Sequence, residues 1–313
     1  MTKRIFINLI ISILVTGCSS LERRNEAPGS TRSVEDKSAI VTSKTATHDM
    51  KKRLLVLPFL VDMPGAPAQI NREAQSQFIS ELNRTGEVLA LDEKIVDTKG
   101  ALKNSNYDFK TLAMQGNKSG VTAFFEGKIL EVKAQRSAPQ VGVFRKVKTV
   151  YVCKVRARMA AARSGKELMN TVKTVTLEDT STRVGESPRY ADDMLNENPE
   201  LVKQLIQDAF KEFMPQIIDL MEKQTWEGRI AAIQGERVYL NVGSASGLQI
   251  GDLLKVMDEG QEVYDPETGG FVGQVPGRLK GTLEVISFFG QDGSISVIHS
   301  GAGFKENDRV ELY

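Results

Sequence analysis

The stretch Lys146-Val-Lys-Thr-Val-Tyr-Val-Cys-Lys-Val-Arg-Ala-Arg-Met159 decides the fold of the larger part of this chain. Its apolar and weakly polar residues recur at every second position, which is the period of a β-strand with one buried face. Cys153 belongs to this set, so we interpret it as a small buried hydrophobe and not as a reactive thiol. The alternate positions carry lysines and arginines. Because no aromatic side chains lie between them, a solvated strand face is favoured over a phosphate-binding stripe.

Sequence on either side of this strand predicts a sheet covered by helices. The turn at Ser164-Gly165 predicts an antiparallel return strand over 168–182. Upstream, buried apolar runs alternate with amphipathic stretches. The predicted strands cover 53–59, 88–91 and 121–132, and the predicted helices cover 71–85 and 108–117. A wide apolar stripe predicts a further helix over 198–223, kinked at Pro215. This alternation is typical of a layered α/β arrangement.

From Trp226 onward the sequence contains an internal repeat. The segment Gly247-Leu-Gln-Ile-Gly-Asp-Leu-Leu-Lys-Val256 aligns without gaps on Gly303-Phe-Lys-Glu-Asn-Asp-Arg-Val-Glu-Leu312. Upstream, residues 228–230 align on 281–283, and 238–240 on 294–297. Each copy predicts three strands, with a corner before the third where glycine or asparagine suits a positive φ and aspartate can bond its own backbone. Two such units predict a small closed β-barrel, with residues 258–278 as a hairpin insertion.

The N-terminal residues have the pattern of an export signal. A short basic head is followed by an apolar run over 5–15, which is too short for a membrane-spanning helix. Val15-Thr16-Gly17-Cys18 resembles a bacterial lipobox, in which the cysteine is acylated on sulfur and becomes the new N-terminus. Ser19, in place of aspartate, favours passage to the outer membrane in that family. An ordinary signal peptide with an incidental cysteine is the alternative.

Composition narrows the function classes further. The chain has 313 residues, a formal net charge of +1 and two cysteines. The charge gives no global attraction to nucleic acid, and acylation of Cys18 would leave Cys153 without a disulfide partner. The two histidines, His48 and His299, offer neither a Ser/His/Asp arrangement nor a metal cluster. We therefore expect no enzyme, and no catalytic, cofactor-binding or metal-binding residues.

Two family resemblances follow from these motifs. The sequence Trp226-Glu-Gly-Arg-Ile230, together with the Gly247–Leu253 and Asp265-Pro-Glu-Thr-Gly269 segments, resembles the C-terminal domain of the flagellar assembly protein FlgT. The stretch Phe124-Phe-Glu-Gly-Lys-Ile129 and the turn at 164–168 resemble the curli secretion protein CsgG and envelope proteins with a TolB N-terminal-like domain. These resemblances imply an α+β chain, in which a CsgG-like or TolB-like mixed-sheet domain is followed by an SH3-like barrel.

The predicted domain organisation is a signal peptide at 1–17, a flexible tether at 18–50, an α/β domain at 51–224 and a barrel at 225–313. The favoured function is a lipoprotein of the outer membrane, facing the periplasm, that assembles with envelope or flagellar ring proteins, with a homo-oligomeric ring as one form. One alternative is a CsgG-like secretion channel, with candidate spanning hairpins at 134–150 and 170–185. The other is a lipoprotein activator of a cell-wall synthase.

Overall fold

A mixed β-sheet forms the first part of the molecule in the computed structural model. The structure describes residues 50–62, 69–92, 98–116, 119–137, 144–184, 199–258, 260, 262–268, 271–275 and 277–313. The first eight strands are β1 (Lys52–Val56), β2 (Leu60–Val61), β3 (Val88–Leu91), β4 (Leu102–Lys103), β5 (Asn106–Tyr107), β6 (Ala123–Ser137), β7 (Phe144–Ala161) and β8 (Glu167–Val184). The sheet order is β3-β1-β6-β7-β8, with β2 beside β6, while β4 and β5 form a separate hairpin. The pairing is parallel among β3, β1 and β6 and antiparallel from β6 to β8.

Helices cover both faces of this sheet, as the sequence predicts. They are α1 (Ile70–Thr85), α2 (Phe109–Gly116), α3 (Pro199–Lys211) and α4 (Met214–Glu222). Apolar residues of α1, α3 and α4 pack on one face, and those of α2 pack on the other. Gly86 ends α1 at φ 80°, the left-handed position that glycine favours. Instead of one kinked helix over 198–223 there are two, because Pro215 lacks the N–H that a continuous helix needs and lies in the first turn of α4 instead.

The core on the α1 face is built around four phenylalanines. The ring centroids of Phe59 and Phe210 lie 4.4 Å apart, and those of Phe78 and Phe125 lie 4.8 Å apart. Gly127 of β6 faces this cluster, and a Cβ atom there would lie 2.7 Å from the Phe59 ring. The absence of a side chain at this position therefore lets the rings pack directly on the strand backbone. Cys153 is fully buried in the same core, and burial raises its thiol pKa to about 12.

The C-terminal part is a closed six-stranded barrel. Its strands are β9 (Gly228–Gln234), β10 (Arg237–Leu240), β11 (Leu253–Met257), β14 (Leu279–Phe289), β15 (Gly293–Gly301) and β16 (Arg309–Leu312). The remaining strands, β12 (Glu262–Tyr264) and β13 (Phe271–Gln274), form the inserted hairpin that the sequence predicts. The fold is thus mixed α+β, mostly sheet, and contains this barrel.

The two copies of the sequence repeat occupy equivalent places in the barrel. Its order is β10-β15-β14-β11-β16-β9, and exchanging β9, β10 and β11 with β14, β15 and β16 leaves every pairing unchanged. The third strand of each copy lies against strands of the other copy, since β11 is between β14 and β16. Gly251 and Asn307 hold equivalent corners at φ 94° and 70°. The prediction that the two repeat copies together form a closed barrel is therefore confirmed.

One part of the repeat alignment is corrected by the strand register. Val310 pairs with Gly228, and its counterpart Leu254 pairs with Leu283. Gly228 is therefore equivalent to Leu283 and not to Gly281, a shift of two residues. The pairing of β14 contains irregularities, which displace residues along the strand, and a shift of two keeps each side chain on the same face.

Candidate functional site

The sheet and the barrel meet at a polar joint centred on Asn241. Its backbone oxygen accepts a 2.8 Å hydrogen bond from Nη1 of Arg53, a buried residue of β1. Its side-chain Nδ2 donates to the Ser119 carbonyl at 3.0 Å, and its Oδ1 accepts from the Arg229 N–H at 2.9 Å. Gly120 comes so close that a Cβ atom there would lie 2.9 Å from Asn241 Nδ2. One side chain thus bonds both parts of the molecule.

A cavity of about 480 Å³ opens beside this joint. We call it the arginine cleft and define it by six of the polar residues that line it: Thr122, Arg163, Gln224, Glu227, Arg309 and Glu311. The first two come from the sheet part, directly before β6 and in the β7–β8 turn. Gln224 and Glu227 lie in the connection between α4 and β9, and Arg309 and Glu311 lie on β16. The cleft therefore exists only because the sheet and the barrel are packed together.

The charged groups of the cleft are closely spaced and partly buried. Arg309 Nε lies 2.9 Å from Glu311 Oε1, and Arg229 Nη2 lies 4.0 Å from Glu227 Oε1. Burial raises the pKa of Glu227, and the charges of Arg229, Arg309 and Arg163 oppose that rise. Burial, and next the like charge of Arg309, lower the pKa of Arg163. The cleft thus holds charges that water solvates poorly.

One hydroxyl of the cleft has no hydrogen-bond partner within the described part of the chain. The hydroxyl Oγ1 of Thr122 is buried and has no hydrogen-bond partner there. Arg163 is exposed at the rim, where the charges of Glu227 and Glu311 favour its charged form and those of Arg309 and Arg229 oppose it. An arginine has five N–H donors and no acceptor, so Arg163 can donate to an oxygen atom at the rim of the cleft.

A second polar cluster lies on the other face of the sheet and corrects one prediction. The carboxylate of Glu126 is fully buried and lies 3.1 Å from Nη2 of Arg156 and 3.1 Å from Nη1 of Arg158. It also accepts a 2.7 Å hydrogen bond from the backbone N–H of Tyr107 in β5. Arg156 and Arg158 were expected on a solvated strand face. They are largely covered because the β4–β5 hairpin and α2 pack there, so the charges of this cluster pair with one another inside the protein.

The predicted lipidation residue, Cys18, lies outside the described residues, so its role stays a prediction. Within them, no helix is both long and apolar enough to cross a bilayer. The same part of the chain contains no group of three or more potential metal-ligating side chains. The candidate spanning hairpin at 170–185 is wrong for its described part, because 170–184 belongs to the single strand β8, paired with β7 along its length.

Comparison with known proteins gives distant structural likeness. No protein-family model matches the chain, and the search of curated proteins found no match. A hypothetical protein, CT253 from Chlamydia trachomatis, is 14% identical, with a TM-score of 0.35 over 55% of this chain and 98% of that one. Lipoprotein GNA1162 from Neisseria meningitidis is 15% identical, with a TM-score of 0.28 over 50% and 99%. A minor lipoprotein from Acinetobacter baumannii is 11% identical, with a TM-score of 0.28 over 55% and 94%. Likeness at this level carries no functional conclusion.

Proposed function

We propose that this chain is a lipid-tethered protein of the bacterial envelope that holds other proteins in an assembly and does not catalyse a reaction. The observation that carries the proposal is the sequence around Cys18: a basic head, a short apolar run and Val15-Thr16-Gly17 directly before the cysteine. Acyl chains on one residue give membrane attachment without a spanning segment.

The finer proposal concerns location and partners. The tether places the folded part beneath the outer membrane, facing the periplasm, and the partners are other envelope proteins or further copies in a ring. Association with a flagellar ring rests on the resemblance of the barrel sequence to the C-terminal domain of FlgT. The repeat corner at Gly247–Leu253 and the Asp265–Gly269 turn of the insertion carry that resemblance.

Replacement of the anchoring thiol tests the proposal. We expect Cys18→Ala to prevent incorporation of radiolabelled palmitate and to move the protein out of the membrane fraction after salt and carbonate washes. Cys153→Ala is the matched control, because it removes the other cysteine, which is buried in the sheet core, and keeps the acylation motif. Full membrane retention of Cys18→Ala would contradict the tether.

The flagellar part is tested separately. Deletion of the gene should reduce swimming and alter the rings of the basal body seen by electron microscopy. Normal swimming together with normal rings would remove the flagellar assignment and leave the tether untouched.

A further inference from the structure

We propose that Met50 and Lys51 form a strap through which tension in the preceding chain opens the joint between the sheet and the barrel before either part unfolds. The proposal rests on the proposed function for the source of the tension, which is an anchor at Cys18 and a partner held by the barrel. The strap itself is argued from contacts within the folded part alone.

The chain contacts the barrel before it enters the sheet. Met50 is half-buried and packs against the apolar core of the barrel. The Lys51 N–H donates a 3.1 Å hydrogen bond to the carbonyl of Ser246, which precedes β11. The next residue, Lys52, begins β1 of the sheet. A pull on the chain before Met50 therefore acts on these two barrel contacts before it acts on the sheet.

The barrel side of the strap is held firmly in place. Ser246 is fully buried, its N–H donates to Oδ1 of Asp292 at 3.0 Å, and its hydroxyl donates to Oδ2 of the same residue. The Gly243 N–H also donates to Asp292 Oδ1, at 2.9 Å. Hydrogen bonds to a carboxylate are stronger than those between neutral groups. A pull on Lys51 therefore strains its bond to Ser246, because the loop that carries the acceptor cannot follow easily.

The sheet side of the strap resists a pull more strongly. β1 lies between β3 and β6, runs parallel to both, and is fully buried from Leu54 to Val56. A pull on its first residue loads two rows of backbone hydrogen bonds together, and bonds that are loaded together share the force. In the described part of the chain, the strap has one backbone hydrogen bond to the barrel and the packing of the Met50 side chain. The strap is therefore expected to release while β1 stays in the sheet.

Release of the strap changes the surroundings of a tryptophan. A cavity of about 430 Å³ lies between the two parts on this side of the joint, and its lining includes Met50, Val88 of β3, Met221 of α4, Trp226 and Leu312 of β16. Because both parts contribute to the lining, the cavity widens when the barrel moves away from the sheet. Trp226 is the single tryptophan of the chain and is 6% exposed. Its fluorescence therefore reports the opening of the joint.

Optical tweezers test the proposal on the full-length chain, produced without acylation so that the Cys18 thiol is free. One DNA handle is attached at Cys18 and the other at an added cysteine, either on the barrel (Glu236→Cys) or on the sheet part (Ser76→Cys), both at exposed positions. The barrel handle loads the joint, and the sheet handle leaves it unloaded. We expect a reversible extension step before unfolding with the barrel handle and no such step with the sheet handle.

Matched variants assign this step to the strap. Lys51→Pro removes the donor N–H and Lys51→Ala keeps it, so the lifetime of the closed joint at constant force should be about fivefold shorter in the proline variant. Met50→Asn removes apolar packing on the barrel, and Met114→Asn is its control, because Met114 is 79% exposed on α2. In solution, Lys51→Pro and Met50→Asn should increase acrylamide quenching of Trp226 fluorescence, while circular dichroism shows an unchanged fold.

Four results would overturn the proposal. They are no step before unfolding with the barrel handle, the same step with both handles, equal lifetimes for Lys51→Pro and Lys51→Ala, and quenching in Lys51→Pro and Met50→Asn equal to that in their controls. None of these measurements depends on acylation. Full membrane retention of Cys18→Ala would thus contradict the tether alone, whereas a missing step would contradict the strap alone.

Discussion

The two repeat corners of the barrel and the Glu126 cluster of the sheet hold their polar groups over different sequence distances. At the corners the bonds are local, since Asp252 accepts from the Gln249 N–H and Asp308 accepts from the Lys305 N–H, each at 2.7 Å. In the Glu126 cluster they are non-local, since Glu126 of β6 bonds Arg156 and Arg158 of β7 and the β4–β5 hairpin. Loss of one corner aspartate breaks the bonds of that corner and leaves the other corner intact. Loss of Glu126 breaks several bonds at once, because they all end on one carboxylate.

The largest expected effect is therefore at Glu126. Glu126→Gln keeps the shape but removes the charge that two arginines face, so we expect a loss of about 3 kcal/mol in the free energy of unfolding in urea. Glu178→Gln is the control, because its ion pair with Lys148 is exposed and should contribute below about 1 kcal/mol. Equal losses in the two variants would show that the sheet cluster is no more fragile than a surface pair.

An intermediate effect is expected at the joint. Asn241→Ala removes one bond to the sheet part and one to the barrel, and leaves the Arg229 N–H without its acceptor. We expect a loss of about 1–3 kcal/mol and, by calorimetry, a broader transition as the two parts cease to unfold together. Asn170→Ala, on the exposed part of β8, is the control and should have little effect. An unchanged transition in Asn241→Ala would argue that the parts are held by other contacts.

The smallest change in the free energy of unfolding is expected at the two repeat corners. Gly251 has φ 94° with no atom within 4 Å of an added Cβ, so Gly251→Ala introduces backbone strain alone and should cost about 1 kcal/mol in urea unfolding. Asn307→Gly, at the equivalent corner with φ 70°, should be neutral or slightly stabilising. A neutral Gly251→Ala would mean that the first corner can relax and that the two copies differ in rigidity.

The difference between local and non-local interactions also explains which parts of the structure the sequence could predict. The strand over 146–159, its return partner and helix α1 follow from short-range periodicity, and the barrel follows from a repeat whose corners carry recognisable Gly, Asn and Asp residues. The covering of Arg156 and Arg158 could not be predicted, because it depends on the β4–β5 hairpin, whose strands have two residues each and no pattern. Whether the polar face of a strand is buried depends on the elements that pack on it. The alternation of apolar and polar residues along the strand does not show whether such elements are present.

The arginine cleft was missed for a related reason. Thr122, Arg163, Glu227 and Arg309 come from separate segments and share no spacing or motif. Each is ordinary in its own segment, and only the packing of β16 and the β7–β8 turn at the joint brings the charges together. An arginine in a tight turn beside a predicted domain boundary could have indicated the cleft in the sequence. Many surface turns contain an arginine, however, so this feature alone does not identify a site.

The two halves of the barrel interlock, because the third strand of each repeat copy pairs with strands of the other copy. The inserted hairpin with β12 and β13 is the covalent link between the half that ends with β11 and the half that begins with β14, yet β11 lies between β14 and β16, and β16 lies against β9. A protease cut within that hairpin would divide the polypeptide without separating the pieces, since the fragments could part only by opening four strand pairings, β10–β15, β11–β14, β11–β16 and β9–β16.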